Sequence, residues 1–156
     1  HPDGRRNYLV LTPRFVSGGA GLMSNPDDYI RFADALACGG ISRDGYRLLG
    51  TEALQLLSQN HLSGQALQDY QTSRQTPEYG YGFCVRTRLY EGEDGIPAGE
   101  FGWDGAAGFY TAIDPAHRIS MAYAQHIAGH TPAVRRIHPS LLRLVYQCME
   151  LRHPAN

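Results

Sequence analysis

Apolar residues in the first half of the chain recur with the period of helices. Over residues 26–38 they fall at intervals of three and four, which gathers them on one stripe of a helix. Ser24 and Asp27 predict a capping box in which Asp replaces the usual Glu, and Gly39 and Gly40 end the helix as a left-handed C-cap requires. The stripe consists of Tyr29, Phe32, Ala33, Leu36 and Ala37.

A second helix is predicted from Thr51, as its N-cap, to about residue 60, because Leu54 and Leu57 again lie three apart. The pattern then stops. Residues 63–78 are polar and have almost no periodic apolar signal. A stretch of that length without a pattern is typical of a functional or mobile loop, so we expect poor order there.

The second half of the chain is rich in aromatic and β-branched residues, which favour strands. We predict an antiparallel meander in which the turn at 114–117 joins the last two strands. The predicted strands are residues 79–89, 98–103, 108–113 and 118–127.

A closing helix is predicted from Pro139, with an apolar stripe made by Leu141, Leu144, Val145, Cys148 and Leu151. Helices, then an antiparallel meander, then a helix indicate an α+β fold: an antiparallel sheet flanked by helices. With 156 residues, the chain (1–156) is expected to form a single domain.

Charge and composition exclude several classes of partner. A net charge of -1 and a charged share of 19% do not indicate nucleic-acid binding. No run approaches the roughly 20 apolar residues that a membrane-spanning helix needs. All 14 basic residues are arginine, so no lysine is present to act as a general base or Schiff-base former.

The three cysteines, Cys38, Cys84 and Cys148, are too widely spaced for a zinc pair or a Cys-x-x-Cys redox motif. We expect them to be small buried apolar groups. His126 and His130 lie four apart and could be two metal ligands on one helical face, but we favour solvent-facing or capping histidines, because a strand ends there and Gly129 interrupts. The same alternative applies to His117 and His138.

Residues 101–110 contain Gly102, Gly105 and Gly108 around the only tryptophan, Trp103. Dense glycine means a backbone that turns sharply or is closely approached by another group. One interpretation is a tight connection between strands with Trp103 in the core. In another, Asp104 beside the indole is a general acid, as opposed to a turn aspartate.

The order of five short motifs resembles the C-terminal part of the class C β-lactamase-related serine hydrolases. This family includes esterases with a β-lactamase fold and penicillin-binding-protein-like peptidases. The resemblance extends over residues 17–149. The motifs are residues 17–24, 28–33, 81–83, 100–108 and 113–115.

The resemblance implies a nucleophilic Ser with Lys one helical turn later, a Tyr-x-Asn element and a third motif on a sheet strand. Trp103-Asp104-Gly105 occupies the third-motif position and is most similar to the esterase-like branch, although Asp104 departs from its usual Gly or Thr. By this resemblance, Trp103, Asp104 and Gly105 bind substrate. Ala106 offers its backbone N–H to the oxyanion, and fixed donors of this kind are often a large catalytic term.

The first two motifs do not occur in this sequence, which contains no lysine and no Tyr-x-Asn. The resemblance therefore implies the C-terminal half of a longer hydrolase. Its expected partners are a small ester, amide or lactam bound through the parent enzyme, and the missing N-terminal half or a second copy. No cofactor, metal or nucleic acid is expected. The alternative is a non-catalytic binding or self-association domain with a degenerate β-lactamase-like fold.

Overall fold

A computed structural model describes residues 22–105, 108–125 and 133–150 of the chain. The helices are α1 (Pro26–Ala37), α2 (Thr51–Ser58), α3 (Gly64–Arg74) and α4 (His138–Glu150), the last preceded by a π-helical turn at Ala133–Ile137. The strands are β1 (Tyr79–Tyr81), β2 (Arg86–Arg88), β3 (Phe101–Asp104), β4 (Tyr110–Asp114) and β5 (Ile119–Tyr123).

The five strands form one antiparallel sheet in sequential order, β1-β2-β3-β4-β5. This confirms the predicted α+β fold with a meander, and the turn at 114–117 joins β4 to β5 as expected. Within the described ranges, no helix has the length and apolar character needed to cross a membrane.

The two faces of the sheet carry separate apolar cores. Ala112 and Ile113 are neighbours on β4 but belong to different cores, as the alternation of side chains along a strand requires. Helices α1 and α2 cover the face that includes Phe101 and Ile113. Helix α4 covers the other face through Leu142 and Tyr146. The sheet is therefore the middle of three layers.

The N-cap of helix α1 lies one residue later in the chain than predicted. The N-cap is Asn25, whose side-chain oxygen accepts a hydrogen bond from the Asp28 backbone N–H at 2.9 Å. The Asn25 amide in turn donates to the Asp28 carboxylate at 2.7 Å, so the two residues cap each other and Ser24 lies outside. The predicted stop is confirmed: Gly39 and Gly40 have φ of 75° and 82°.

The expected loop at 63–78 is wrong, because residues Gly64–Arg74 form helix α3. No residue of this helix is buried, so its sequence has no need of an apolar stripe and shows none. Good helix formers and a hydrogen bond of 2.8 Å from Gln65 to Asp69, one turn later, support it instead. The helix ends at Gln75 in a left-handed conformation, with φ of 58°.

The single strand predicted for residues 79–89 is a hairpin of β1 and β2. The chain reverses between Gly82 and Val85, whose backbone groups bond at 2.8 Å, and Cys84 takes a positive φ of 60°. Gly82 is a weak local signal for this turn, which contains neither Pro nor an Asn-Gly pair.

Two expectations about buried side chains are also wrong. Helix α4 does not bury the predicted stripe: Leu144 is 53% exposed, whereas Leu142 and Tyr146 are buried. Leu151 lies outside the described residues. The three cysteines are free and exposed. Leu142 and Tyr146, four residues apart, pack on the sheet instead, so the buried face of α4 is offset from the predicted stripe.

Candidate active site

The third-motif residues lie at the end of β3, an inner strand between β2 and β4. Gly102 pairs with Arg86 on one side and with Ala112 on the other. A Cβ atom at Gly102 would collide with the backbone carbonyl of Thr111, so only glycine fits this strand at its observed spacing. Gly102, the first glycine of residues 101–110, is therefore required by the close packing of β3 against β4.

The other two glycines close the connection to β4. The backbone N–H of Gly105 donates to the carbonyl of Phe109 at 2.7 Å, and that of Gly108 donates to the carbonyl of Gly105 at 2.9 Å. Gly108 takes a φ of 90°, which favours glycine. The stretch is therefore a tight loop between strands, as one interpretation predicted. Ala106, the expected oxyanion donor, lies outside the described residues.

Trp103 does not fill the core. It belongs to neither apolar cluster and remains partly exposed. Its ring meets the edge of Tyr81 with centroids 5.9 Å apart, and the Arg74 guanidinium lies over it at 5.1 Å from the centroid. These contacts come from β1 and α3, so Trp103 joins the sheet to the polar helix.

Asp104 is a strand residue, not a turn aspartate. Its carboxylate accepts a hydrogen bond from the Arg86 guanidinium at 2.7 Å, and the two side chains are 21% and 13% exposed. The partners sit on adjacent strands, diagonal to one another in the register. A carboxylate held by a guanidinium is poorly placed to donate a proton, which argues against Asp104 as the general acid.

Arg86 is also held by aromatic rings. Its guanidinium lies 4.8 Å from the centroid of Tyr79 and 5.0 Å from that of Tyr110, both cation–π distances. Burial alone would lower the pKa of Arg86, but the surrounding hydroxyls and carboxylates outweigh it and raise that pKa. The charge of Arg86 is therefore permanent at any working pH.

A buried network extends from this pair along β1, β2 and β3. Glu100 is fully buried and accepts a hydrogen bond from the Tyr79 hydroxyl at 2.9 Å. Burial raises the pKa of Glu100, and Arg86 and the Tyr79 hydroxyl oppose that rise. Arg88 donates to Tyr79 at 3.4 Å and forms an ion pair with Asp94 at 2.7 Å.

Sequence reasoning missed this network. Arginine at both 86 and 88, alternating with Thr87 in a run otherwise suited to strands, is the signal that could have found it. Alternation puts both guanidiniums on one face of β2. Two charges on a covered face require partners, and the partners are supplied by neighbouring strands.

A cavity of about 210 Å³ lies beside the first two residues of the third motif. Sheet strands β1 to β4, helix α3 and the start of α4 contribute to its walls. Trp103 and Asp104 both line it, and its aromatic lining also includes Tyr70, Tyr79 and Tyr110. Its basic residues are Arg74, Arg86, Arg88 and Arg135. Its acidic residues are Glu78, Asp94 and Asp104.

The histidines divide between buried and exposed sites. His138 is buried, contrary to expectation, and stacks on Tyr110 with ring centroids 4.6 Å apart. Burial lowers the pKa of His138. His117 contacts the buried Asp114 carboxylate through Nδ1 at 2.7 Å. His126 and His130 lie outside the described residues, and the described part of the chain contains no cluster of three potential metal ligands.

The sequence of this chain is similar to that of known proteins. Residues 1–144 match the β-lactamase family model. Protein Rv1367c and Uncharacterized protein MT1414, from two strains of Mycobacterium tuberculosis, are each 28% identical over 91% of this chain. The match covers 40% of each relative, so this chain spans less than half of their length.

Two solved structures are similar in fold. Unliganded simvastatin synthase (LovD) from Aspergillus terreus aligns with a TM-score of 0.60 at 21% identity, over 81% of this chain and 34% of that one. A penicillin-binding protein homologue from Caulobacter crescentus aligns with a TM-score of 0.51 at 25% identity, over 73% and 30%. The sheet, its helices and the family match agree with the resemblance seen in the motifs: this chain belongs to the β-lactamase family.

Proposed function

We propose that this chain is the C-terminal part of a serine hydrolase that transfers an acyl group from a small ester, amide or lactam. In this proposal β3 and the loop after it form one wall of the active site. The supporting observation is the position of Trp103 and Asp104, at the end of an inner strand and beside a cavity, with Gly105 directly after them. Membership of the β-lactamase family supports acyl transfer as the reaction.

Within this proposal, each third-motif residue has a physical role. Trp103 presents a partly exposed ring to the acyl or leaving group. Gly105 lacks a side chain, so substrate can lie against the backbone there. The N–H of Ala106 donates to the oxygen on which negative charge develops when the carbonyl carbon is attacked.

The nucleophile and its base must come from elsewhere. The sequence contains neither lysine nor a Tyr-x-Asn element, so it supplies no Ser-x-x-Lys pair. We propose that the part of the parent enzyme preceding this chain carries both. This division agrees with a chain that spans 40% of its curated relatives.

A covalent probe of serine nucleophiles tests the proposal. A fluorophosphonate or a fluorescent penicillin should label the longer parent protein on a serine upstream of this chain. Replacement of that serine by alanine should abolish labelling, and this chain alone should remain unlabelled. Absence of labelling in the folded parent, or labelling within residues 1–156, would contradict the proposed function.

A second candidate is a non-catalytic domain that binds a partner or a second copy through a sheet edge. It is supported by the missing motifs and by the position of β1 and β5 at the two ends of the described sheet. Analytical ultracentrifugation tests whether the chain associates with a second copy. A concentration-dependent dimer that is lost when a proline replaces Ala122 in β5 would favour it, whereas a stable folded monomer would count against it.

A further inference from the structure

The cavity beside Trp103 has a size and lining suited to one class of ligand. Its volume is about 210 Å³. A dry cavity of about 150 Å³ holds benzene in another protein, so this one accommodates one aromatic ring with a small polar substituent. Trp103 and Tyr70 line it with partly exposed rings that can contact a flat group, whereas Tyr79 and Tyr110 are buried and Arg86 lies over both of their rings.

Two of the four arginines that line the cavity are neutralised by the protein itself. Arg86 pairs with Asp104 and Arg88 with Asp94, each at 2.7 Å. Neither Arg74 nor Arg135 has a carboxylate from the described residues within ion-pair distance, and of the acidic lining residues only Glu78 is left to offset them. Among the described residues that line the cavity, the four arginines therefore outnumber the three carboxylates.

Arg74 is the guanidinium best placed to use that charge. It projects from the last turn of α3, and its side chain lies over the Trp103 ring. The cation–π contact holds the planar group in position and consumes none of its N–H donors. No hydrogen bond from Arg74 to another described residue competes for those donors. A carboxylate matches the guanidinium fork with two parallel hydrogen bonds.

We propose that this cavity binds an aromatic carboxylate, with the ring beside Tyr70 and Trp103 and the carboxylate on Arg74. Only one part of this inference rests on the proposed function, namely that the aromatic carboxylate is part of the substrate that the parent enzyme hydrolyses. Binding itself needs no nucleophile, so this chain can be tested directly.

Trp103 is the only tryptophan, so its fluorescence reports the site without a label. The chain is titrated with benzoate, with benzamide as the uncharged analogue and with acetate as the anion without a ring, and the affinities are repeated by isothermal titration calorimetry. Benzoate should saturate the signal at about one tenth, or less, of the concentration that benzamide needs, because a charge-assisted hydrogen bond contributes about that factor. It should also need a lower concentration than acetate, because acetate has no ring that buries apolar surface.

Substitutions locate the binding group. Arg74→Met keeps an apolar side chain over the indole and should weaken benzoate binding about tenfold or more without changing benzamide binding. Arg74→Lys keeps the charge but loses the planar fork of N–H donors, so its affinity for benzoate should lie between those of the wild type and Arg74→Met. The matched control is Arg31→Met on α1, whose side chain is 81% exposed and which should leave benzoate binding unchanged. Thermal melting confirms that each variant is folded.

Several results would overturn the inference. Equal binding of benzoate and benzamide would refute the carboxylate, and equal binding of benzoate and acetate would refute the ring. Wild-type affinity in Arg74→Met, an equal loss in Arg31→Met, or no saturable binding would refute the site. If benzoate binds but the parent is never labelled by a fluorophosphonate, the proposed function fails and the binding site stands. If the parent is labelled and benzoate does not bind, the inferred binding site fails and the proposed function stands.

Discussion

The ion pair between Asp104 and Arg86 should be a measurable source of stability. Replacing Asp104 by Asn keeps the shape of the side chain but leaves the guanidinium without its carboxylate. Breaking a fully buried pair in this way costs about 3–5 kcal/mol, and an exposed pair contributes about 0.2–1 kcal/mol. The two side chains are 21% and 13% exposed, and Arg86 keeps its contacts with two tyrosine rings. We therefore expect a loss of about 2 kcal/mol, between the two limits.

A double-mutant cycle isolates the pair from other effects. The free energy of unfolding is measured by urea denaturation for Asp104→Asn, Arg86→Met and the double variant. The coupling energy should be about 1–3 kcal/mol, as for residues in direct contact. The pair Arg31–Asp28 on α1, with side chains 81% and 62% exposed, provides the matched control and should couple by no more than about 0.5 kcal/mol.

Two results would refute this reasoning. A loss below about 0.5 kcal/mol in Asp104→Asn would mean that solvent replaces the carboxylate at no cost. A coupling energy equal to that of the exposed control would mean that burial adds nothing to the interaction. Either result would remove the argument that the sheet fixes Asp104 beside the cavity.

Three further predictions concern the sheet, the buried histidine and the proposed oxyanion donor. Gly102→Ala should destabilise the chain by about 1–3 kcal/mol in urea denaturation, because its Cβ meets the Thr111 carbonyl, whereas Gly50→Ala, with open space around it, loses only the glycine at the N-cap of α2 and should cost less than about 1 kcal/mol. Because burial lowers the pKa of His138, the unfolded chain binds the proton first, so stability should fall as pH drops below about 6.5, and His138→Phe should flatten that slope in pH-dependent melts. In the parent enzyme, Ala106→Pro removes the backbone N–H and should lower kcat by about 10²–10³-fold, and Ala106→Ser, which keeps it, should not; equal activity of the two folded variants would refute the role.

Local patterns predicted the elements that bury one face. Helix α1 has both an apolar stripe and a glycine stop, and its bounds agree with the sequence to within one residue. The order of the sheet followed from turn signals such as the one at 114–117. Helix α3 could not be predicted in this way, because a helix that buries no residue leaves no period in the sequence.

The candidate site likewise contains some residues that local sequence predicts and others that it does not. Trp103-Asp104-Gly105 could be found because the three residues are contiguous. The network of Arg86, Glu100 and Tyr79 could not, because it depends on which residues of three strands face one another. Such register is set by long-range pairing and by close approaches such as that of Gly102 to β4, and no local pattern encodes it.

Helix α3 contributes to the lining of the cavity but not to either buried core. It buries no residue, yet its Tyr70 and Arg74 line the cavity. Exposed substitutions usually change stability by less than about 0.5 kcal/mol, so the sequence of this helix can drift or be redesigned while the sheet and both cores stay intact. A library confined to α3 would therefore vary the lining of the cavity while the sheet and both cores stay constant.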